Sequence, residues 1–110
     1  MNLYDPRAIA TTATAAAHER PAVAIAHDHP DSRLVVFRIE PGQQVATHTS
    51  ASSVFLGVIS GTGFVTGAEG ERTVGPGAIA AFAPREPHGM RAGDEQLVLA
   101  ALIAPRPGAR

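Results

Sequence analysis

The sequence predicts an all-β domain, an antiparallel sandwich or barrel, and three observations carry that expectation. From Pro21 onward, short runs of Val, Ile, Leu and Phe are broken by Gly, Pro and Asp at intervals of roughly ten residues, the spacing of strands joined by tight turns. No long helical pattern interrupts the series, which argues against parallel βαβ architecture. The chain has 110 residues, 45% of them hydrophobic, enough apolar side chain for one core and too little for a second domain.

Taken in order, residues 1–20 are a weakly patterned N-terminal arm, in which the Thr/Ala run 11–17 suits a short helix or an extended segment equally well. Strands are expected at 22–26, 33–40, 45–48, 53–60, 63–66, 71–74, 78–82, 88–92 and 96–104, making 21–104 the barrel domain and 105–110 a short C-terminal tail. Asp28 to Ser32 reads as a turn because it holds Pro30 and side chains that bond their own backbone. Gly67 to Gly70 offers positive-φ residues for a hairpin, and Ala92 to Glu95 closes the last one. The runs Leu34–Phe37 and Leu97–Ile103 are apolar on both faces. Such strands need cover outside the barrel, from the arm or from a second copy, and a homodimer is the economical expectation.

Composition excludes several function classes. With no cysteine there is no disulfide framework, thiolate metal site or cysteine nucleophile. The formal charge is -1, every basic residue is an arginine, and these are scattered with few aromatics among them, so nucleic acid is not expected as a partner. Without lysine, no Schiff base or lysine general base operates. Neither a secretory leader nor a membrane-spanning stretch is apparent, and a cytoplasmic location is the default expectation.

Two segments carry the candidate chemistry. Gly42 is followed at the sixth position by His48, then by Ser50, Val54 and Gly61; Gly77 is followed by Pro84, Glu86, His88 and Ala92. These segments resemble the two motifs of the cupin superfamily, G-x5-H-x-H-x3-4-E-x6-G and G-x5-P-x-G-x2-H-x3-N. The resemblance spans roughly 34–103 and points to the small, single-domain RmlC-like members of conserved-barrel type, which implies a double-stranded β-helix, or jelly-roll barrel. Of the ligand positions only His48 and His88 are kept: the second histidine slot holds Ser50, the acidic slot Val54 and the final asparagine slot Ala92. Pro84 sits one residue late and Glu86 stands near the usual glycine.

Carried over residue by residue, the resemblance makes His48 and His88 the candidate metal ligands and the candidate catalytic pair. Period-two alternation would turn Val54, Leu56 and Val58 inward with Met90, giving an apolar pocket. Three readings stay open. The pair is the residue of a divalent metal site (Zn, Ni, Fe or Mn) completed by water, Glu86, His27 or His29; or it serves a metal-free pocket as general base or hydrogen-bonding group for a small organic ligand; or it is structural. The function expected is therefore a small-molecule-binding protein, as an enzyme or, alternatively, as a non-catalytic ligand sensor or interaction module built on a dimer. His27-x-His29 has ligand spacing but is placed in a turn, and His18 in the arm. The glycine clusters lack the helix and the Gly-Lys-Ser/Thr of a phosphate loop. Ser50, Ser52 and Ser53 lie near His48 without a nucleophile elbow.

Overall fold

The computed structural model of the protein describes residues 1–108; of the tail expected at 105–110, Ala109 and Arg110 lie outside the described residues. The arm opens with helix α1 (Pro6–Thr12). Its start is set by Asp5, whose carboxylate accepts from the backbone N–H groups of Arg7 and Ala8, with Pro6 occupying a first-turn position where no N–H is needed. The helix therefore lies ahead of most of the Thr/Ala run, which instead supplies the two-residue strand β1 (Thr14–Ala15). The Asp-Pro start signal decides this where propensity alone left the arm ambiguous.

Nine longer strands follow: β2 (Ala22–His29), β3 (Ser32–Ile39), β4 (Gln44–His48), β5 (Ser53–Ser60), β6 (Gly63–Gly67), β7 (Gly70–Val74), β8 (Ile79–Phe82), β9 (His88–Ala92) and β10 (Leu97–Ala104). Each coincides with an expected strand to within a few residues. The largest difference is at β2, which runs on through His27 and Asp28 to His29, so that the turn is reduced to Pro30 and Asp31. The cause is pairing: His27, Asp28 and His29 face Leu34, Arg33 and Ser32 across the hairpin, after a bulge between Ile25 and His27.

The strands form two antiparallel sheets, β1-β2-β3-β10-β5-β8 and β4-β9-β6-β7, packed face to face. Alternation along β10 explains the layering. Leu97, Leu99 and Ala101 point into the space between the sheets with Val54, Leu56 and Val58 of β5, while Val98 points outward. There it meets Val36 of β3 and Ala10 of α1 in a small second cluster, with Ile9, Ala26 and Ile59 packed on it. The arm thus covers one end of the outer face. The remainder stays bare: Phe55 and Leu102 are directly paired and 41% and 42% exposed, and Ile79 on the edge strand is 73% exposed.

At the end of the barrel marked by Ile39 and Leu97, which are paired and have no solvent exposure, the interior is filled. Gly61 is obligatory there, because it sits at φ +78 and a Cβ would lie 1.9 Å from the carbonyl oxygen of Gln96. Among the described residues no helix is long and apolar enough to cross a membrane.

Candidate functional site

The opposite end of the barrel is open. A cavity of about 560 Å³ enters between the sheets there, floored by Phe37, Val54, Leu56, Met90, Ala101 and Ile103. His48, His88 and the loop 49–52 form one side of its mouth, and the tail residues Pro105, Arg106 and Pro107 form another. Val54, Leu56 and Met90, expected around the imidazoles, line this cavity with them. Val58 shares their inward face but lies deeper, in the main core cluster and outside the cavity lining.

His48 and His88 come together through the pairing of β4 with β9, where they occupy facing register positions. Their ring centroids are 4.3 Å apart at an interplanar angle of 62°. This approach depends on Gly89, a residue without a role in the sequence motifs. A Cβ there would lie 2.9 Å from Thr47 Oγ1 and 3.0 Å from Thr47 N, so any larger residue pushes β4 away from β9 beside the pair. Nothing local in the sequence marks Gly89; only the cross-strand neighbour gives it meaning.

The two imidazoles are held alike. The Nδ1–H of His48 donates to the carbonyl of Ala46 (2.9 Å), and that of His88 to the carbonyl of Glu86 (3.0 Å). A carbonyl can only accept, so each bond fixes the proton on Nδ1 and leaves Nε2 of the neutral ring with a free lone pair. His88 is buried at 5% exposure and packs against Phe82 (5.2 Å between ring centroids), whereas His48 is exposed at the mouth.

The other residues considered from sequence fall elsewhere. Glu86 accepts through Oε1 from the N–H of Ala83 (3.0 Å) and borders a separate cavity between β7 and β8. The left-handed conformation of this turn is held by Arg85, at φ +69, rather than by Glu86. Its N–H donates to the carbonyl of Ser50 (2.7 Å), tying the β8–β9 turn to the loop beside His48. His27 bonds the hydroxyl of Tyr4 through Nδ1 (2.7 Å), and His29 lies 3.7 Å from Asp31, both on β2 outside the cavity lining. His18 lies in the arm, away from the cavity lining. The hydroxyl of Ser52 donates to the carbonyl of Pro105 (2.6 Å) and that of Ser50 accepts from the N–H of Ser52 (3.1 Å), so neither is aligned on a histidine as a nucleophile would be.

Arg106, in the expected tail, brings the charged side chain of the lining. Its Nε lies 2.7 Å from Asp28 Oδ1, and Asp28 also receives Arg33 at 3.2 Å. The hydrogen bond from Arg33 and the closeness of Arg106 hold the Asp28 carboxyl below its ordinary range, against an opposing effect of desolvation.

The donor set fits only in part the divalent metal that this motif architecture implies. Carbonyl-anchored imidazoles with free Nε2 atoms are the form metal ligands take. Stable mononuclear sites use three or more protein ligands, however, and among the described residues no group of three His, Cys, Asp or Glu side chains is close enough to hold an ion. Ser50 and Val54, at the missing ligand positions, both line the cavity, so the strand positions of such a centre are kept while two of its side-chain ligands are not.

Two facing antiparallel sheets with a histidine-lined mouth at one end define a double-stranded β-helix of the small barrel class. Residues 35–103 match the family model described as "Cupin domain", and the chain belongs to the cupin family. Among solved structures it is similar to an uncharacterized conserved protein with a double-stranded β-helix domain from Klebsiella pneumoniae (23% identity, 100% of this chain and 94% of that one, TM-score 0.83). It is similar also to TT1209 from Thermus thermophilus (23% identity, 97% and 100% coverage, TM-score 0.85) and to KdgF from Halomonas sp. (19% identity, 86% and 87% coverage, TM-score 0.78). At these identities the likeness is one of fold. No curated protein matches the sequence.

Proposed function

We propose that this cupin binds a compact small molecule in the open-end cavity, with His48 and His88 as its polar anchors and without a metal as an obligatory part. The observation that carries this reading is the pair itself: two imidazoles with their Nδ1–H groups spent on backbone carbonyls, leaving both Nε2 atoms for something else. The volume, about 560 Å³, lies in the range of small-molecule sites, and an apolar floor with few polar groups at the mouth is their usual make-up. An Nε2 lone pair can take a proton from a bound ligand or accept a hydrogen bond from it, so the site suits a general base and a sensor alike.

The test is fragment binding followed on the Met90 and Ile103 methyl groups. Fragments that shift these signals in the wild type are expected to lose affinity in both His48→Ala and His88→Ala. Turnover of a bound compound, abolished in both variants, would mark an enzyme; binding alone would mark a sensor. Fragments that bind only at other surfaces, leaving the Met90 and Ile103 signals unmoved, would overturn the reading.

The same proposal keeps the homodimer. The bare row Ala81–Phe55–Leu102–Leu34 crosses four strands without a charged side chain, so a second copy laid on it meets no like charge. Sedimentation at micromolar concentration is expected to give the dimer mass, and Leu102→Arg the monomer mass. A monomeric wild type ends the dimer proposal.

A further inference from the structure

The charge around the mouth says more about the ligand than the histidines do. The floor is uniformly apolar, and among the described residues no carboxylate lines the cavity. Its one charged member among them is Arg106. That guanidinium turns Nε toward Asp28, but Asp28 is shared with Arg33, which bonds both of its carboxylate oxygens at 3.2 and 3.4 Å. Two guanidinium groups therefore face one carboxylate, leaving an excess positive charge at the rim. The contact with Asp28 is made through Nε, and a guanidinium presents five donors in a planar fork, so Arg106 has donors beyond that contact.

The segment carrying Arg106 is fixed against the cavity rather than trailing into solvent. The hydroxyl of Ser52, a residue only 3% exposed, donates to the carbonyl of Pro105, and the N–H of Arg106 donates to the carbonyl of Pro30. Both contacts join the tail to segments far away in sequence, and the tail becomes a wall of the site.

We infer that the ligand of this cavity is a compact monocarboxylate, its apolar body against Phe37, Leu56 and Ile103 and its carboxylate on the guanidinium of Arg106. This rests on the pocket reading above and narrows it to one chemical class. A cationic ligand would meet Arg106 with no carboxylate in the described lining to pair with, and a neutral one would leave the excess charge unmatched. A dianion would exceed the single excess charge.

The test uses two sets of probes matched in shape: benzoate, benzamide and benzylammonium, and butyrate, butyramide and butylammonium. Binding to the full chain is followed on the Met90 and Ile103 methyl signals. The carboxylates are expected to bind at least about tenfold more tightly than the amides, with the ammonium probes weakest. Arg106→Gln should bring carboxylate affinity down to that of the matching amide measured in the same variant, and Arg106→Lys should keep most of the preference even if the wall shifts. Amides that equal the carboxylates in the wild type, or a preference that survives Arg106→Gln, would overturn the monocarboxylate inference and spare the pocket. No shift of the cavity signals by any probe at millimolar concentration would overturn both.

Discussion

The two ends of the barrel are built from the same strands and do opposite things. At the filled end, Ile39, Leu97 and Leu99 are wholly excluded from solvent, and Gly61 and Gly63 are there because nothing larger fits: a Cβ on Gly63 would lie 2.5 Å from the carbonyl of Arg91 and 2.7 Å from Leu97. Further along the same strands, Leu56, Ala101 and Ile103 surround a cavity instead. The difference teaches how a 110-residue chain keeps an open cavity. It concentrates close packing in one half so that the other can be left unfilled, and it closes the unfilled half with loops and a tail rather than with core side chains.

Truncation of one core residue at each end gives the largest expected effect. Leu99→Ala removes a fully enclosed side chain and should cost about 2–5 kcal/mol in chemical denaturation. Ile103→Ala, on the same strand and face, widens a space that already exists and should cost less than half as much. Equal losses would mean that the open end is packed as tightly as the closed one. Next come the histidines, which divide by burial. His88→Ala abandons a buried ring and its bond to the Glu86 carbonyl, for about 1–2 kcal/mol. His48→Ala, at the exposed rim, should stay within about 0.5 kcal/mol of wild type. Both should weaken ligand binding, so a variant with unchanged stability and lost binding separates the site from the fold.

An effect of the opposite sign is expected at the turn that joins the two sheets beside the site. Arg85 holds φ +69, a conformation that costs a side-chain-bearing residue about 1 kcal/mol and glycine nothing. Arg85→Gly should therefore raise the melting temperature slightly, with ligand affinity kept as long as the bond from its N–H to Ser50 persists. A lower melting temperature would show that the arginine side chain itself supports the open end.

Most of the filled end was legible in the sequence, because what builds it is local. Alternation along 53–60 marks an inward face, the apolar run 97–103 marks a strand covered on both sides, and turn residues mark the strand ends. The pairing of His48 with His88 could be expected from motif resemblance. What escaped is what depends on residues meeting from far apart. Gly89 matters only because Thr47 passes beside it, and Arg106 sits in a proline-bearing tail whose place on the cavity is set by Ser52 and Pro30. The extension of β2 through His29 was hidden for a similar reason. Proline and aspartate signal a turn, but cross-strand pairing with Ser32 to Leu34 decides where the turn begins.

We propose that the open end keeps the strand framework of a metal centre and uses it as an organic pocket. Elemental analysis of untagged protein, dialysed against zinc, nickel, iron and manganese and then against metal-free buffer, tests it most directly when the wild type is measured beside Ser50→His/Val54→Glu. The account predicts well under one metal per chain in the wild type and close to one in the double variant, whose two new donors would join His48 and His88 in the same cavity. Stoichiometric metal in the wild type, lost on His48→Ala/His88→Ala, would contradict it.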